Sequence, residues 1–301
     1  MIHLNVIGCG RVGTTLATLL QRAGVCQVQD LFSRTFDTAQ AAAQFVGAGT
    51  AVAHMADMRP AEVWMLSVPD TQVAAAAGEL SRSAGLFPPS NGRAPTVFHC
   101  SGFLPATALG ALQALGWQAA SAHPVMNFAN PAQCVSQFRG TPCGLEGDEQ
   151  AVTLLRELLS AIGGECFSVP TESKPLYHAA AVFSSNFMAV LQAIAQEGWA
   201  AAGVPAALMP RIHGALLRGS VDNLLTLGPP KAITGPAARG DTAVVAAQAA
   251  QVSQWHPEAG EIYRAMSVLA RRLATTGSTQ SLFDAGLSPE HEAGPTPRIG
   301  P

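Results

Sequence analysis

The sequence predicts an α/β protein in two parts, a doubly wound parallel sheet followed by an all-α domain. Three observations lead there. Short apolar runs alternate with Ala/Leu-rich helical stretches through the first half. A glycine-rich turn closes the first of those runs, and beyond Pro170 the strand pattern gives way to long helical periodicity. Regular alternation of strand and helix patterns indicates a parallel sheet with helices on both faces.

The apolar runs fall at 4–7, 28–32, 63–68, 96–100 and 119–122, the last three cut by Pro69, Ser101-Gly102 and His123-Pro124. Helical stretches at 14–23, 35–45, 71–81 and 105–115 separate them. Residues 143–145, 149–162 and 165–169 read as one more strand–helix–strand unit, which carries the sheet domain to about residue 168. Helical blocks follow at 174–202, 205–227 (with a break expected near Gly219), 241–255 and 258–274. The domains are therefore read as 1–168, 169–274 and a flexible tail at 275–301, which is rich in Gly, Pro, Ser and Thr.

Composition narrows the function classes. A hydrophobic share of 48% against 12% charged excludes a disordered chain. The net charge of −3 and the lack of any basic run leave no case for nucleic acid or an anionic membrane as partner. The start MIHLNVIGCG has none of the features of a secretory leader, and the six cysteines are scattered without a C-x-x-C pair. A cytoplasmic protein with reduced thiols is expected. Residues 179–196 carry no charge, but Ser184, Ser185, Asn186, Gln192 and Gln196 interrupt them. So polar a stretch reads as a buried helix of a soluble protein rather than a membrane span.

Gly8-Cys9-Gly10-Arg11-Val12-Gly13 fits G-x-G-x-x-G directly after a strand and at the start of a helix. Gly8 permits the tight turn, Gly10 lets backbone approach a pyrophosphate, and Gly13 lets helix and strand pack closely. The free N–H groups of the helix's first turn then face the phosphates. This is the fingerprint of a Rossmann dinucleotide site. The second strand ends Ser33-Arg34-Thr35, without the terminal carboxylate that binds an NAD ribose, since Asp30 falls inside the strand. Ser33 and Arg34 suit a 2′-phosphate, so NADP is expected over NAD. Ser67-Val68-Pro69 borders the cofactor path at a third strand end. Ser101, beside the nicotinamide end, serves either to bind cofactor or substrate or to cap the following helix.

Hydride transfer needs a proton donor beside the accepting group. Lys174, opening the long helix at the domain junction, is the first candidate, with His178 one turn on along the same face. Ser185 and Asn186 follow two turns later as possible substrate contacts, and His123 just beyond the fifth strand is the second candidate acid. His99 lies within a strand and reads as structural. Arg239 binds either an anionic substrate group or a neighbouring carboxylate, and Asp241 caps the helix after it. No His/Cys pair has zinc-site spacing, so no metal is expected.

These residues also carry a resemblance. V-I-G-C-G-R-V-G-T-T-L-A with F-S-R-T after the second strand resembles the N-terminal domain of the pyrroline-5-carboxylate reductase and deazaflavin-dependent NADP oxidoreductase group. K-P-L-Y-H-A-A-A-V-F-S-S-N-F, A-I-T-G-P-A-A-R-G-D, H-C-S-G and A-H-P-V resemble a bacterial family of predicted oxidoreductases whose helical domain is of unknown function. The resemblance covers residues 2–274 and implies NADP binding, a 6-phosphogluconate dehydrogenase-like helical domain and a homodimer. It fixes no substrate. β-Hydroxyacid dehydrogenases and ketopantoate reductase carry a catalytic lysine with an asparagine four residues later. Lys174 is similar to that lysine, but His178 stands where the asparagine would be. The resulting expectation is an NADP-dependent oxidoreductase acting on a small carbonyl or imine, with Lys174 supplying the proton. The alternative is a non-catalytic NADP-binding sensor or scaffold on the same fold.

Overall fold

The computed structural model describes residues 1–83 and 94–281. In chain order its first elements are β1 (Ile2–Ile7), α1 (Arg11–Arg22), β2 (Cys26–Phe32), α2 (Phe36–Val46), β3 (Thr50–Val52), β4 (Val63–Leu66) and α3 (Asp70–Ser83). Next come β5 (Thr96–His99), a 3₁₀ turn Ala106–Leu109 running into α4 (Gly110–Gln113), β6 (Gln118–Pro124), α5 (Pro131–Gln137), β7 (Pro142–Gly147), α6 (Glu149–Ala161) and β8 (Glu165–Ser168). The strands form one eight-stranded sheet ordered β3-β2-β1-β4-β5-β6-β7-β8.

β4 is buried on both faces because it is apolar at every position. In β4, Val63 and Met65 enter a core with Leu16 and Leu20 of α1 and Leu155 and Leu159 of α6. Trp64 and Leu66 alternate into the opposite core with Val73, Ala77 and Leu80 of α3 and Leu112 of α4. That is the period-two pleat of a strand reading two hydrophobic layers at once. Trp64 fills the second layer against Trp117, with ring centroids 5.6 Å apart, and donates its indole N–H to the Ala61 carbonyl at 3.0 Å.

Two features depart from the sequence reading of the sheet. The short strand β3 is extra, since its Thr50-Ala51-Val52 is too brief to show a period. β7 is antiparallel to β6, pairing Pro124 with Cys143 and Ala120 with Gly147, so the sheet is not wholly parallel. A parallel successor needs a crossover long enough to run back along the sheet. α5, seven residues long, spans only about 10 Å at ~1.5 Å per residue. The chain therefore re-enters at the end it left, where Val125 N–H donates to the Pro142 carbonyl at 2.8 Å.

The helical part holds α7 (Lys174–Ser184), α8 (Asn186–Ala201), α9 (Met209–Leu227), α10 (Pro229–Ala232), α11 (Pro236–Arg239), α12 (Thr242–Trp255) and α13 (Pro257–Thr276). The block expected at 174–202 is two helices, not one. The break is at Ser185, whose backbone is non-helical at φ −128°, ψ −60°, and the Ser184 and Ser185 hydroxyls bond back to the Ala180 and Ala181 carbonyls, both at 3.0 Å. No break occurs at Gly219, because an interior glycine costs a helix only about 1 kcal/mol relative to alanine. α13 continues to Thr276, past the expected end, and residues 282–301 of the expected tail lie outside the described residues.

The chain divides into two compact units, Met1–Met188 and Ala189–Pro301. The sheet ends at Ser168, as the 168/169 division had it, but the first unit also takes in α7, whose first turn is anchored in the sheet. In the second unit α12 and α13 pack on one another, and a cavity of about 820 Å³ lies between them and α8. The expectation of a buried helix at 179–196 fails: α8 buries no residue fully, and Phe183 is 72% exposed. An apolar sequence shows that a surface seeks cover and leaves open what covers it.

Within the first unit one buried carboxylate holds the loop before β4. Asp30, 1% exposed, accepts from Arg59 Nη2 at 2.7 Å, Arg59 Nε at 3.2 Å and the Arg59 backbone N–H at 2.6 Å. Arg59→Ala leaves that carboxylate short of donors and should cost about 1–3 kcal/mol. Urea unfolding measures it, and an unchanged midpoint would show that the ion pair contributes nothing.

Candidate functional site

The glycine turn opens where the strand order reverses. β1 pairs with β2 on one side and β4 on the other, so the turns after β1 and β4 meet at this switch point, where open α/β sheets bind ligands. Gly8 adopts φ +95°, a left-handed conformation, and a Cβ there would stand 2.8 Å from the Ser67 carbonyl. Ser67 Oγ donates to the Gly8 carbonyl at 2.5 Å, and a Cβ on Gly13 would collide with both groups. Above Gly10, by contrast, nothing lies within 4 Å. α1 begins at Arg11 with no acidic residue in its first turn, so its N–H groups offer an uncompensated positive pole.

Cys9 faces inward, buried, with Sγ 3.4 Å from the Phe32 carbonyl and its pKa pushed up to about 12 by burial. It supports the turn as a small apolar group and is no nucleophile. Val12 and Gly13 pack in the first turn of α1, while Arg11 is exposed. Val68 is half-buried and Pro69 exposed in the turn after β4. At the tip of β2, Ser33 is half-buried and Arg34 exposed, and neither makes a hydrogen bond or ion pair among the described residues. Thr35 Oγ1 accepts from Thr38 N–H at 3.4 Å and caps α2. Asp30 is committed to Arg59 inside the strand, as its position in the sequence suggested.

The other carboxyl ends meet around Lys174. This lysine is 1% exposed, with Nζ donating to Ser121 Oγ at 2.5 Å and to the Ser101 carbonyl at 3.3 Å. Burial lowers its pKa, and the nearby Glu146 and Asp70 carboxylates oppose that shift. The sequence reading placed Lys174 at the domain junction as the proton donor; the structure encloses it beneath the ends of β5 and β6, bonded to Ser101 and Ser121.

Ser101 is fully engaged as well. Its Oγ donates to Asp70 Oδ2 at 2.8 Å and accepts from Phe103 N–H at 3.1 Å and Leu104 N–H at 2.9 Å. The hydroxyl thus holds the turn 101–104 and is not the cap of the next helical turn, which has Pro105 at its N-cap. Ser101 N–H also donates to His99 Nδ1 at 3.2 Å, which leaves the other ring nitrogen to donate to the Pro105 carbonyl at 3.0 Å. His99 is thus neutral and structural, and burial, chiefly, lowers its pKa.

His123 and His178 come together with rings edge to face at 5.7 Å, against the bare backbone of Gly102. His178 Nδ1 is buried without a partner among the described residues. Tyr177, absent from the sequence reading, bonds to His123 Nδ1 at 2.8 Å. Its spacing was the available signal: positions 174, 177 and 178 share one helix face. Ser185 ends α7 with its Oγ on the Ala181 carbonyl and on exposed Asn186. Arg239, in the second unit, forks onto Asp241 at 3.0 and 3.2 Å, so it takes the neighbouring carboxylate. Asp241 stands at the N-cap of α12 without making the capping bond. No group of three or more His, Cys, Asp or Glu side chains suited to a metal occurs among the described residues.

A cavity of about 1020 Å³ lies elsewhere, lined by Ile2, Glu62, Thr96 and Gln118 at the amino ends of the strands. Ligands of open parallel sheets bind at the carboxyl ends, so the site is assigned there instead.

Comparison with known proteins agrees with this geometry. Residues 3–86 match the family model described as NADP oxidoreductase, coenzyme F420-dependent, and residues 141–269 match a domain of unknown function, DUF2520. The chain thus resembles an NADP oxidoreductase Rossmann domain in its first part and DUF2520 in its second. A crystal structure of a Thermotoga maritima protein is 26% identical, with a TM-score of 0.69 over 91% of this chain and 99% of that one. A Bacteroides fragilis protein described as an NADP oxidoreductase is 22% identical, with a TM-score of 0.70 over 90% and 98%. Plasmodium falciparum pyrroline carboxylate reductase with NADP bound shares 11% identity and the fold, with a TM-score of 0.53 over 91% and 98%. No curated protein matches the sequence. The match over residues 3–86 indicates a nicotinamide dinucleotide cofactor.

Proposed function

We propose that the protein is an NADP-dependent oxidoreductase that exchanges a hydride with a small carbonyl or imine compound. The observation that carries this reading is the glycine turn at the switch point. Gly8 and Gly13 are closed in by Ser67, and Gly10 alone is left clear for a pyrophosphate. The cradle fits the group: a positive helix pole faces the clear space, and Arg34 stands free for a 2′-phosphate at the tip of β2. Cys9, Arg11, Val12 and Gly13 would line the pyrophosphate, Ser33, Arg34 and Thr35 the adenosine ribose, and Ser67-Val68-Pro69 the path toward nicotinamide.

The bound cofactor would supply the hydride. His123 and His178 then stand at the substrate end, Ser101 holds that end's backbone, and Lys174 sets its electrostatic field from below. Ser185 follows α7 and Asn186 opens α8 as proposed substrate contacts, while Arg239, in the second unit, is already taken by Asp241.

Exposed apolar side chains argue for a homodimer, and six unpaired cysteines fit a place in the cytoplasm. Leu176 on α7 is 77% exposed and Leu225 on α9 is 83% exposed, among others that a lone copy would leave in water. Sedimentation equilibrium should return twice the 31.0 kDa chain mass, and a monomer at micromolar protein would refute the dimer.

Fluorescence titration with NADPH and NADH tests the cofactor assignment. NADPH should bind more tightly, and Arg34→Ala should erase that preference by roughly 10- to 100-fold, the worth of a charge-assisted hydrogen bond. Equal affinity for both in the wild type would refute the role of Arg34, and binding of neither would refute the function.

A further inference from the structure

Resting on that hydride-transfer reading, we propose that His123 and Tyr177 form a proton-delivering pair, the His123 imidazole presented neutral with its Nε2–H toward a substrate carbonyl. Tyr177 is then a positioning residue and proton reservoir behind it.

The geometry carries this assignment. Tyr177 Oη and His123 Nδ1 lie 2.8 Å apart, with the rings edge to face at 5.5 Å. With the Tyr177 hydroxyl as donor in this bond, Nδ1 accepts and the ring proton resides on Nε2. Nε2 has no partner among the described residues and is not enclosed, unlike His178 Nδ1. Two backbone positions are bare where the rings press. A Cβ on Gly144 would stand 2.8 Å from Tyr177 Oη, and one on Gly102 would stand 2.8 Å from His123 Cε1. The strand ends therefore admit this pair and hold it in one arrangement.

Electrostatics keeps the pair neutral. Tyr177, His178 and Lys174 face His123 from α7, Asp70 faces it from α3, and the turn at Gly102 brings no charge. Burial, then His178 and Lys174, hold the His123 pKa down to about 4, with Asp70 opposing. Burial, with Cys143 behind it, pushes Tyr177 up to about 12. A neutral imidazole of this kind is a hydrogen-bond donor to a polarised oxygen, not an imidazolium acid.

The proton count balances. A carbonyl oxygen that gains an electron pair becomes roughly as basic as hydroxide, whose parent water has a pKa of ~15.7. That oxygen takes the Nε2 proton, Nδ1 takes the Tyr177 proton, and the tyrosinate left behind recovers one from water. Because the Tyr177 hydroxyl, at about 12, is the stronger acid, the transfer runs downhill. An iminium carbon yields a neutral amine and needs no proton at this step. The pair accordingly favours a ketone or aldehyde over an imine.

Two-dimensional ¹H–¹⁵N NMR of the histidine rings of the full chain decides the matter without a substrate, His123 being assigned by its loss in His123→Gln. The expected result is a neutral Nε2–H tautomer from pH 8 down to about pH 5, with a midpoint near 4. Tyr177→Phe should then populate both tautomers, read from the ¹⁵N shifts of the two ring nitrogens. Should that variant not fold, Gly144→Ala displaces the hydroxyl and should do the same. An imidazolium at pH 6 in the wild type, or a ring unmoved in the variant, overturns the pair. NADPH titration of the same samples is independent: loss of binding there defeats the cofactor reading and leaves the NMR result on the pair standing.

Discussion

A buried ammonium group must be met by acceptors or it costs the fold several kcal/mol. Lys174 is so placed, and its two acceptors come from different strands: Ser121 Oγ on β6 and the Ser101 carbonyl just past β5. Satisfying one cation therefore sets the first turn of α7 against two strand ends. Helical geometry does the rest, since residues three and four positions later return to the same face. Tyr177 and His178 are delivered to the sheet edge, where His123 and the bare backbone of Gly102 and Gly144 receive them. The same network extends from Ser101 Oγ to Asp70, so the turns after β4 and β5 and the start of α7 share one set of hydrogen bonds.

The cofactor half depends on a different constraint, close packing at the switch point. Ser67 fills the space beneath the glycine turn, which makes Gly8 and Gly13 obligatory and Gly10 the position kept open. The acidic residue of β2 serves stability instead, because Asp30 accepts from the Arg59 guanidinium and backbone and lies inside the strand. With Asp30 spent, the exposed end of β2 carries a net positive side chain, Arg34, that no protein group claims among the described residues. Phosphate recognition and hydride chemistry thus draw on separate parts of one sheet, joined by the turn at Ser67–Asp70.

Much of this was legible in the residues. Apolar runs, their proline and glycine stops and the glycine turn located seven of the eight described strands, because two-sided burial leaves a continuous apolar signature. β3 was missed for its length, and the reversal of β7 because direction depends on how far a connection can travel, which composition does not encode. Lys174 stood out by chemistry, but its depth did not, since burial is a property of neighbours distant in the chain. Tyr177 was overlooked because a tyrosine in an apolar run reads as core. Only its partner at position 123, 54 residues away, reveals its use. Ser185, read as a possible substrate contact, sits at the break between α7 and α8 with its hydroxyl on the Ala181 carbonyl. The break there explains why the apolar block did not behave as one rod.

The switch point above Gly10 is proposed to hold NADP with its nicotinamide toward His123, and everything said of the chemistry rests on that placement. A crystal structure of the protein grown with NADP⁺ tests it most directly. The pyrophosphate is expected on the amides that open α1, the 2′-phosphate on Arg34, and the nicotinamide ring within reach of His123 and His178. A dinucleotide bound with its nicotinamide at the tip of β2, or seated at the amino ends of the strands, would contradict it.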